Sequence, residues 1–235
     1  MPPDSGLVFL AVPDGSVSEM ASRIAGLKPG PAVSFVHLSG ALGLDVLEAL
    51  KPRAVGSFHP LQSFPAPRGS EAFRGITIAI DASTPALKRR LSALARRLGA
   101  RPKPVGDAQR VVYHAAAVFA SNYVDVVVAE AVRMLQGIGW SEGEATRALL
   151  PLVDGSVQNI RRRGVVEGLT GPIRRGDAGT VRRHLEAVDN PGLYRMLGAI
   201  TLEIARKAGL DPAAAERVRR ALTPEVAATR RRVRR

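Results

Sequence analysis

The chain has 235 residues, 46% of them hydrophobic, no cysteine and a formal net charge of +13. This excludes disulfide and thiolate chemistry and a disordered chain, and it allows one large domain or two small ones. The charge is mostly arginine, 29 Arg against 5 Lys, and Arg230, Arg231, Arg232, Arg234 and Arg235 crowd the C-terminal end. Such a tail is either a nucleic-acid arm or a solvated end. With 4% aromatic residues, stacking platforms for bases are scarce, so nucleic acid is the lesser reading.

No basic region precedes the first apolar run, unlike a signal peptide. No uncharged apolar run reaches the roughly 18 residues of a membrane span. The nearest, 111–132, contains His114, Asn122, Asp125 and Glu130. No span is expected, and the cytoplasm is the default location.

Residues 7–12 (Leu-Val-Phe-Leu-Ala-Val) form a continuous apolar run of strand length, as expected of a strand buried on both faces of a parallel sheet. Pro13-Asp14-Gly15 ends it. Residues 16–27 then carry Val17, Met20, Ala21 and Ile24 at helical spacing, and Lys28-Pro29-Gly30 breaks that helix. Residues 32–37 predict a second strand, followed by a tight Ser39-Gly40-Ala41 loop and a short helix at 44–50. A third strand at 54–58 runs into His59-Pro60-Leu61-Gln62. After a Pro- and Arg-rich loop come a fourth strand at 76–80, a helix at 85–98 capped by Thr84, and a short fifth strand at 101–105. Strands and helices alternating over short links indicate a parallel sheet with right-handed crossovers.

No strand signal follows Gly106. A long helix over 108–136, filled with Ala, Val and Phe, is expected to be buried nearly all round. Further helices are signalled by the capping box Ser141/Glu144, by Asp177, by Asn190-Pro191 and by Asp211-Pro212. Pro151 predicts a kink near Leu150, and Arg161-Arg162-Arg163 reads as a solvated helix end. The organisation is therefore an α/β part over 1–107, an all-α part over 108–222 and an Arg-rich tail over 223–235.

At 100° per residue, Arg110, His114, Ser121 and Asp125 fall within about 60° of one another, with Asn122 beside them. This stripe makes either satisfied core hydrogen bonds or the wall of a site. Open α/β sheets bind ligands beyond the carboxyl ends of their strands. Three such ends are polar here: Pro13-Asp14, His37 with Ser39-Gly40, and His59-Pro60 with Gln62. Following such a sheet, the stripe reads as a cleft wall carrying His114, Ser121 and Asn122. In the loop 170–177, Gly171 and Gly176 permit close backbone approach and Arg175 suits a carboxylate. Asp177 is taken as an N-cap. The four scattered His lack zinc-type spacing, so no metal site is expected.

The segments 7–14, 37–41 (His-Leu-Ser-Gly-Ala), 56–62 (Gly-Ser-Phe-His-Pro-Leu-Gln), 113–123 (Tyr-His-Ala-Ala-Ala-Val-Phe-Ala-Ser-Asn-Tyr) and 169–177 (Leu-Thr-Gly-Pro-Ile-Arg-Arg-Gly-Asp) resemble a bacterial family in order and spacing. That family pairs a Rossmann-like NAD(P)-binding domain with a helical domain like that of 6-phosphogluconate dehydrogenase. Its relatives include ketopantoate reductase, pyrroline-5-carboxylate reductase and prephenate dehydrogenase. The His59-Pro60 pair is similar to one that prephenate dehydrogenases place at a strand end. The resemblance implies a NADP- or NAD-dependent oxidoreductase of a small carboxylated substrate, dimeric through its helical domain. It sets the nicotinamide against Pro13, Asp14, Ser39 and Gly40. It makes His59 or His114 the proton donor or acceptor, titrating near neutral pH. Asn122 orients the substrate carbonyl; Gln62, Ser121, Thr170 and Arg175 complete the substrate site, Arg175 holding the carboxylate. Reductases of this type often carry a Lys one turn before that Asn; Val118 stands there instead, which leaves proton transfer open. The alternatives are a non-catalytic dimeric scaffold on the same fold and a nucleic-acid-binding protein.

The sequence departs from the family at its start. No Gly-x-Gly-x-x-Gly turn follows a strand, and residues 7–12 correspond to the fourth strand of a complete domain, so the Rossmann-like sheet is expected to be truncated. Losing about three charge-assisted bonds to a pyrophosphate would cost on the order of 5 kcal/mol, or three to four powers of ten in affinity. Residues 7–12 would also form an exposed apolar edge. Either the start is assigned too far downstream or the chain is a degenerate fragment; the first is the expectation adopted.

Overall fold

The structure, a computed structural model, describes residues 6–224. The chain forms two compact units, Met1–Asp125 and Val126–Arg235. The tail from 225 onward, with its five arginines, lies outside the described residues.

The first unit is built on β1 (Leu7–Leu10), α1 (Val17–Gly26), β2 (Ser34–His37), β3 (Val55–Pro60), β4 (Thr77–Ala82), α2 (Pro85–Arg97), β5 (Arg101–Pro104) and α3 (Asp107–Ala120). The five strands lie in chain order across one sheet. Strands β1, β2 and β3 are parallel, as are β4 and β5, but β4 runs antiparallel to β3. This corrects the expected all-parallel sheet. A parallel neighbour needs a crossover, usually a helix. The link between β3 and β4 offers only a 3-10 turn at Ser70–Phe73 in a Pro-rich stretch, so the chain returns in the opposite sense.

The sheet is covered on both faces. On one, Leu10, Phe35 and Val55 pack with Val17 and Ala21 of α1 and with Leu47 and Leu50 of a 3-10 segment. On the other, Val36, Phe58, Ile78 and Ile80 meet Leu87, Leu91 and Ala95, which recur every fourth residue of α2. Truncating the fully buried Leu91 to Ala would cost about 2–5 kcal/mol. Thr84 caps α2 by accepting from the Leu87 N–H at 3.2 Å. Strand β2 is buried throughout. Strand β1 is not buried on both faces as expected. Among the described residues it pairs with β2 alone, and Phe9 stays 37% exposed.

The second unit comprises the remainder of α4 (Asn122–Gly137) with α5 (Glu142–Glu167), α6 (Ala178–Ala187), α7 (Pro191–Lys207) and α8 (Pro212–Leu222). Val181, Leu202, Ala205, Val218 and Leu222 form its core. Ser141, Asp177, Asn190 and Asp211 each cap a helix by accepting a backbone N–H, as their sequence positions predict. Helix α5 runs through Pro151, and the break comes instead at Gly164 (φ 77°, ψ 174°). Pro151 faces solvent, so the carbonyl deprived of its helical donor can bond water. Gly alone takes the Gly164 conformation without strain.

The expectation for 108–136 fails in two ways. The run is two helices, broken at Ser121 (φ −126°, ψ −79°). It is also not buried: Arg110 is the only buried residue of α3 and Val132 of α4, while Val111, Val112 and Phe119 are largely exposed. Apolar composition signals burial only where a partner surface exists to cover it.

Candidate active site

Ser57 and His59 are two residues apart on β3, so both project to one face of the sheet. Arg110, Tyr113 and His114 stand at i, i+3 and i+4 on α3, so they share one helix face. Two rungs therefore join the strand to the helix. In the inner rung the fully buried Arg110 guanidinium donates to Ser57 Oγ. In the outer rung the Tyr113 hydroxyl lies 2.8 Å from His59 Nδ1, with the rings edge-to-face at 5.6 Å. Helix α3 is further tied down by Asp107, whose carboxylate accepts the Leu44 N–H at 3.3 Å and lies 3.5 Å from Arg110 Nε. Arg110 Nε and Nη1 otherwise lack hydrogen-bond partners.

The ends of β1 and β2 meet beside this pair. Ser39 Oγ donates to the Asp14 carboxylate at 2.8 Å and accepts the Ala41 and Leu42 N–H groups at 3.1 Å each. Next to it, Gly40 lies flat against both imidazoles. A Cβ there would stand 2.7 Å from His59 Cε1, 2.8 Å from His59 Nε2 and 3.0 Å from His114 Cδ2. No larger residue fits unless the rings move.

Burial sets the protonation states. It pushes His59 down to about 4, with His114 and Arg110 adding repulsion. It also pushes His37 down to about 4, helped by Arg110. His37 Nε2 lies 3.1 Å from the Gly43 carbonyl; the carbonyl only accepts, so Nε2 carries the proton. Burial raises the Tyr113 hydroxyl. At neutral pH His59 is thus uncharged, which corrects the expectation that it titrates near pH 7.

A cavity of about 670 Å³ opens over the outer rung. His59, Gln62, Ser63, Tyr113, His114, Ser121 and Asn122 give it polar groups, and Leu61, Ala117 and Val118 give it apolar wall. No carboxylate or guanidinium lines it. His59, Gln62, His114, Ser121 and Asn122, each a candidate from the sequence, come together here. Asp14, Ser39 and Gly40 form the adjoining strand-end ledge, with Pro13 leading into it.

Thr170 and Arg175 belong to the second unit. Thr170 lines a cavity of about 260 Å³ with His184, Tyr194 and Thr201, and Arg175 is exposed. Asp177 serves as the cap of α6, its carboxyl held below the usual range by the Thr180 N–H and hydroxyl. His184 and Tyr194 repeat the 2.8 Å pairing of His59 and Tyr113, but on an exposed histidine. The pairing alone therefore does not mark a site; burial and the large cavity do. Sequence reasoning left Tyr113 and Arg110 without a role. Their signal was the three-residue spacing, which has meaning only against the two-residue spacing of Ser57 and His59.

The groups on the ledge are of the kind to which a dinucleotide's ribose and carboxamide hydrogen-bond. The ledge offers a carboxylate, a hydroxyl and bare glycine backbone beside the cavity. A glycine-rich turn after a strand, which would hold a pyrophosphate on a helix N-terminus, does not occur in the sequence.

No protein of curated function matches the sequence significantly. The chain is similar to many solved structures, these three among them. A Bacteroides fragilis protein proposed to be an NADP oxidoreductase has 26% identity and a TM-score of 0.69, over 85% of this chain and 75% of that one. A Thermotoga maritima protein has 24% identity and a TM-score of 0.72, over 87% and 79%. The pyrroline carboxylate reductase of Plasmodium falciparum, with NADP bound, has 11% identity and a TM-score of 0.56, over 92% and 77%. The fold is that of NAD(P)-dependent oxidoreductases, a Rossmann-like α/β unit followed by a helical one. Residues 76–202, more than half of the chain, match the family described as a domain of unknown function (DUF2520), and the chain belongs to that family.

Proposed function

We propose that the protein is an NAD(P)-dependent oxidoreductase whose small substrate occupies the cavity over His59 and Tyr113. The observation that carries this reading is the position of that cavity. It lies at the carboxyl end of β3, lined by His59, Tyr113, His114 and Asn122, where open α/β sheets bind their ligands. A nicotinamide, when bound, supplies or accepts a hydride. The chain itself contributes binding and proton handling. Asp14, Ser39 and Gly40 would hold the cofactor's ribose end, and Asn122 and Gln62 orient the substrate's polar atom. Leu61 and Val118 limit access of water. Small carboxylated substrates are the first to test, as the resemblance implies.

The same proposal includes a cytoplasmic homodimer. Val126 and Val127 on α4, Leu152, Val157 and Ile160 on α5, and Met196 and Ile200 on α7 are all exposed. Apolar surface on that scale marks an interface. It equally suits a dimeric scaffold without activity, and nucleotide binding separates the two readings.

The test is calorimetric titration with NADPH and NADH, followed by nicotinamide absorbance with a panel of small oxo and imino acids. Weak nucleotide binding, roughly three to four powers of ten below that of a site with a glycine-rich turn, and turnover at correspondingly high nucleotide concentration are expected. Asn122→Ala should lower kcat/KM by about 10- to 100-fold, the effect of one hydrogen bond to the reacting group. A stable dimer that neither binds nucleotide nor turns over would establish the scaffold reading.

A further inference from the structure

We propose that Tyr113 is the catalytic residue that exchanges a proton with the substrate, and that His59 is the positioning residue that aims its hydroxyl. The inference rests on the oxidoreductase reading above.

Four observations converge on it. The Tyr113 hydroxyl and His59 Nδ1 are 2.8 Å apart, and both residues line the cavity. The imidazole is held on two sides, edge-on by Tyr113 and in close contact by Gly40, whose missing Cβ makes the fit possible. The phase of α3 is set one turn upstream by the buried bond from Arg110 to Ser57, so Tyr113 is pre-organised without a substrate. Finally, the cavity lining holds no Lys, Asp or Glu, so proton transfer falls to Tyr113 or to the histidines, and His59 is already engaged with Tyr113.

The groups facing His59 fix its charge. Arg110 and His114 from α3 repel a proton, Asp14 after β1 attracts one, and burial outweighs them all. A neutral imidazole stores no proton for the substrate, but it can direct one. With its hydrogen on Nδ1, it donates to the Tyr113 oxygen and leaves the phenolic hydrogen free for a substrate atom.

In the reductive direction a bound reduced nicotinamide would supply a hydride, with its electron pair, to the substrate's C=O or C=N carbon and be oxidised by the loss. The π pair moves to the oxygen or nitrogen. Tyr113 gives that atom its hydrogen as the phenolic O–H bond breaks. The phenolate accepts the His59 Nδ1–H bond until a solvent proton restores it. Oxidation is the reverse.

The test is ¹⁵N NMR of histidine-labelled protein, wild type and Tyr113→Phe, without nucleotide. The Phe ring keeps the edge contact and loses only the hydroxyl. Wild-type His59 is expected to carry its hydrogen on Nδ1 between about pH 6 and 8, and the variant to release it towards Nε2. A wild-type hydrogen on Nε2, or a tautomer untouched by the substitution, overturns the proposal. In turnover, Tyr113→Phe should lower kcat about 100-fold or more with nucleotide affinity unchanged; an unchanged kcat overturns it. His59→Asn, whose amide can replace Nδ1–H, should keep at least about tenfold more activity than His59→Leu. Equal losses in the two variants overturn the positioning role and guard against a Tyr113→Phe that fails to fold. A wild type that binds no nicotinamide nucleotide overturns the oxidoreductase reading instead, and the tautomer, read without nucleotide, tells the two failures apart.

Discussion

At the scale of single residues, two histidines at adjoining strand ends have their charge removed by burial. His37 is the simpler case, because no part of it is exposed. Its folded-state value of about 4 lies below its ordinary 6.5, so the unfolded chain binds the proton more tightly. Its contribution is fully present above pH 6.5 and is lost as pH falls through 4. At 1.36 kcal/mol per unit this amounts to roughly 3 kcal/mol. Urea denaturation should therefore show falling stability between about pH 6.5 and 4; a flat profile there would contradict the burial argument. His59 was legible in the sequence as polar punctuation at a strand end, and His114 as a member of a polar stripe on a helix. Their neighbour Gly40 was legible as a loop glycine. That it is the surface on which both rings rest was not, because 19 residues of chain separate it from His59 and only the sheet register closes that gap.

At the scale of elements, the link between β3 and α3 decides the site. Arg110 is a buried cation with one hydrogen bond and a half-exposed acidic neighbour. A guanidinium held this way contributes little net stability, since desolvation offsets its bond. Arg110→Met should change stability by less than about 2 kcal/mol. It should also raise the pH at which both His37 and His59 titrate, since Arg110 repels a proton on each. Histidine NMR titration checks this, and unmoved titrations would place the guanidinium too far away to matter. The element boundaries themselves follow local rules. Thr84, Ser141, Asp177, Asn190 and Asp211 cap helices where they were expected to, because a cap is decided within four residues.

At the scale of the whole molecule, the open question is what covers the apolar surface of the helices. Among the described residues, Asp107–Gly137 has the length and hydropathy of a membrane span. It is broken at Ser121, however, and Arg110 is bonded to the sheet. A second copy of the chain is the reading proposed here. Ile200→Glu on α7 should convert a dimer to a monomer in size-exclusion light scattering while leaving helicity unchanged. A wild type that is monomeric at high concentration would sink the dimer.

The sequence by itself determined the order and kind of the elements and the family resemblance, because apolar period, capping residues and turn residues act over a few positions. It also placed His59, Gln62, His114, Ser121 and Asn122 near one another, through the rule that strand ends carry ligand sites. Only the tertiary structure decided the antiparallel turn of β4, the exposure of α3 and α4, and the division of the candidates between two units. It alone also joined Tyr113 to His59 and Arg110 to Ser57, contacts that span 54 and 53 residues. Such contacts depend on which surfaces meet once the sheet has formed, and no local pattern encodes that.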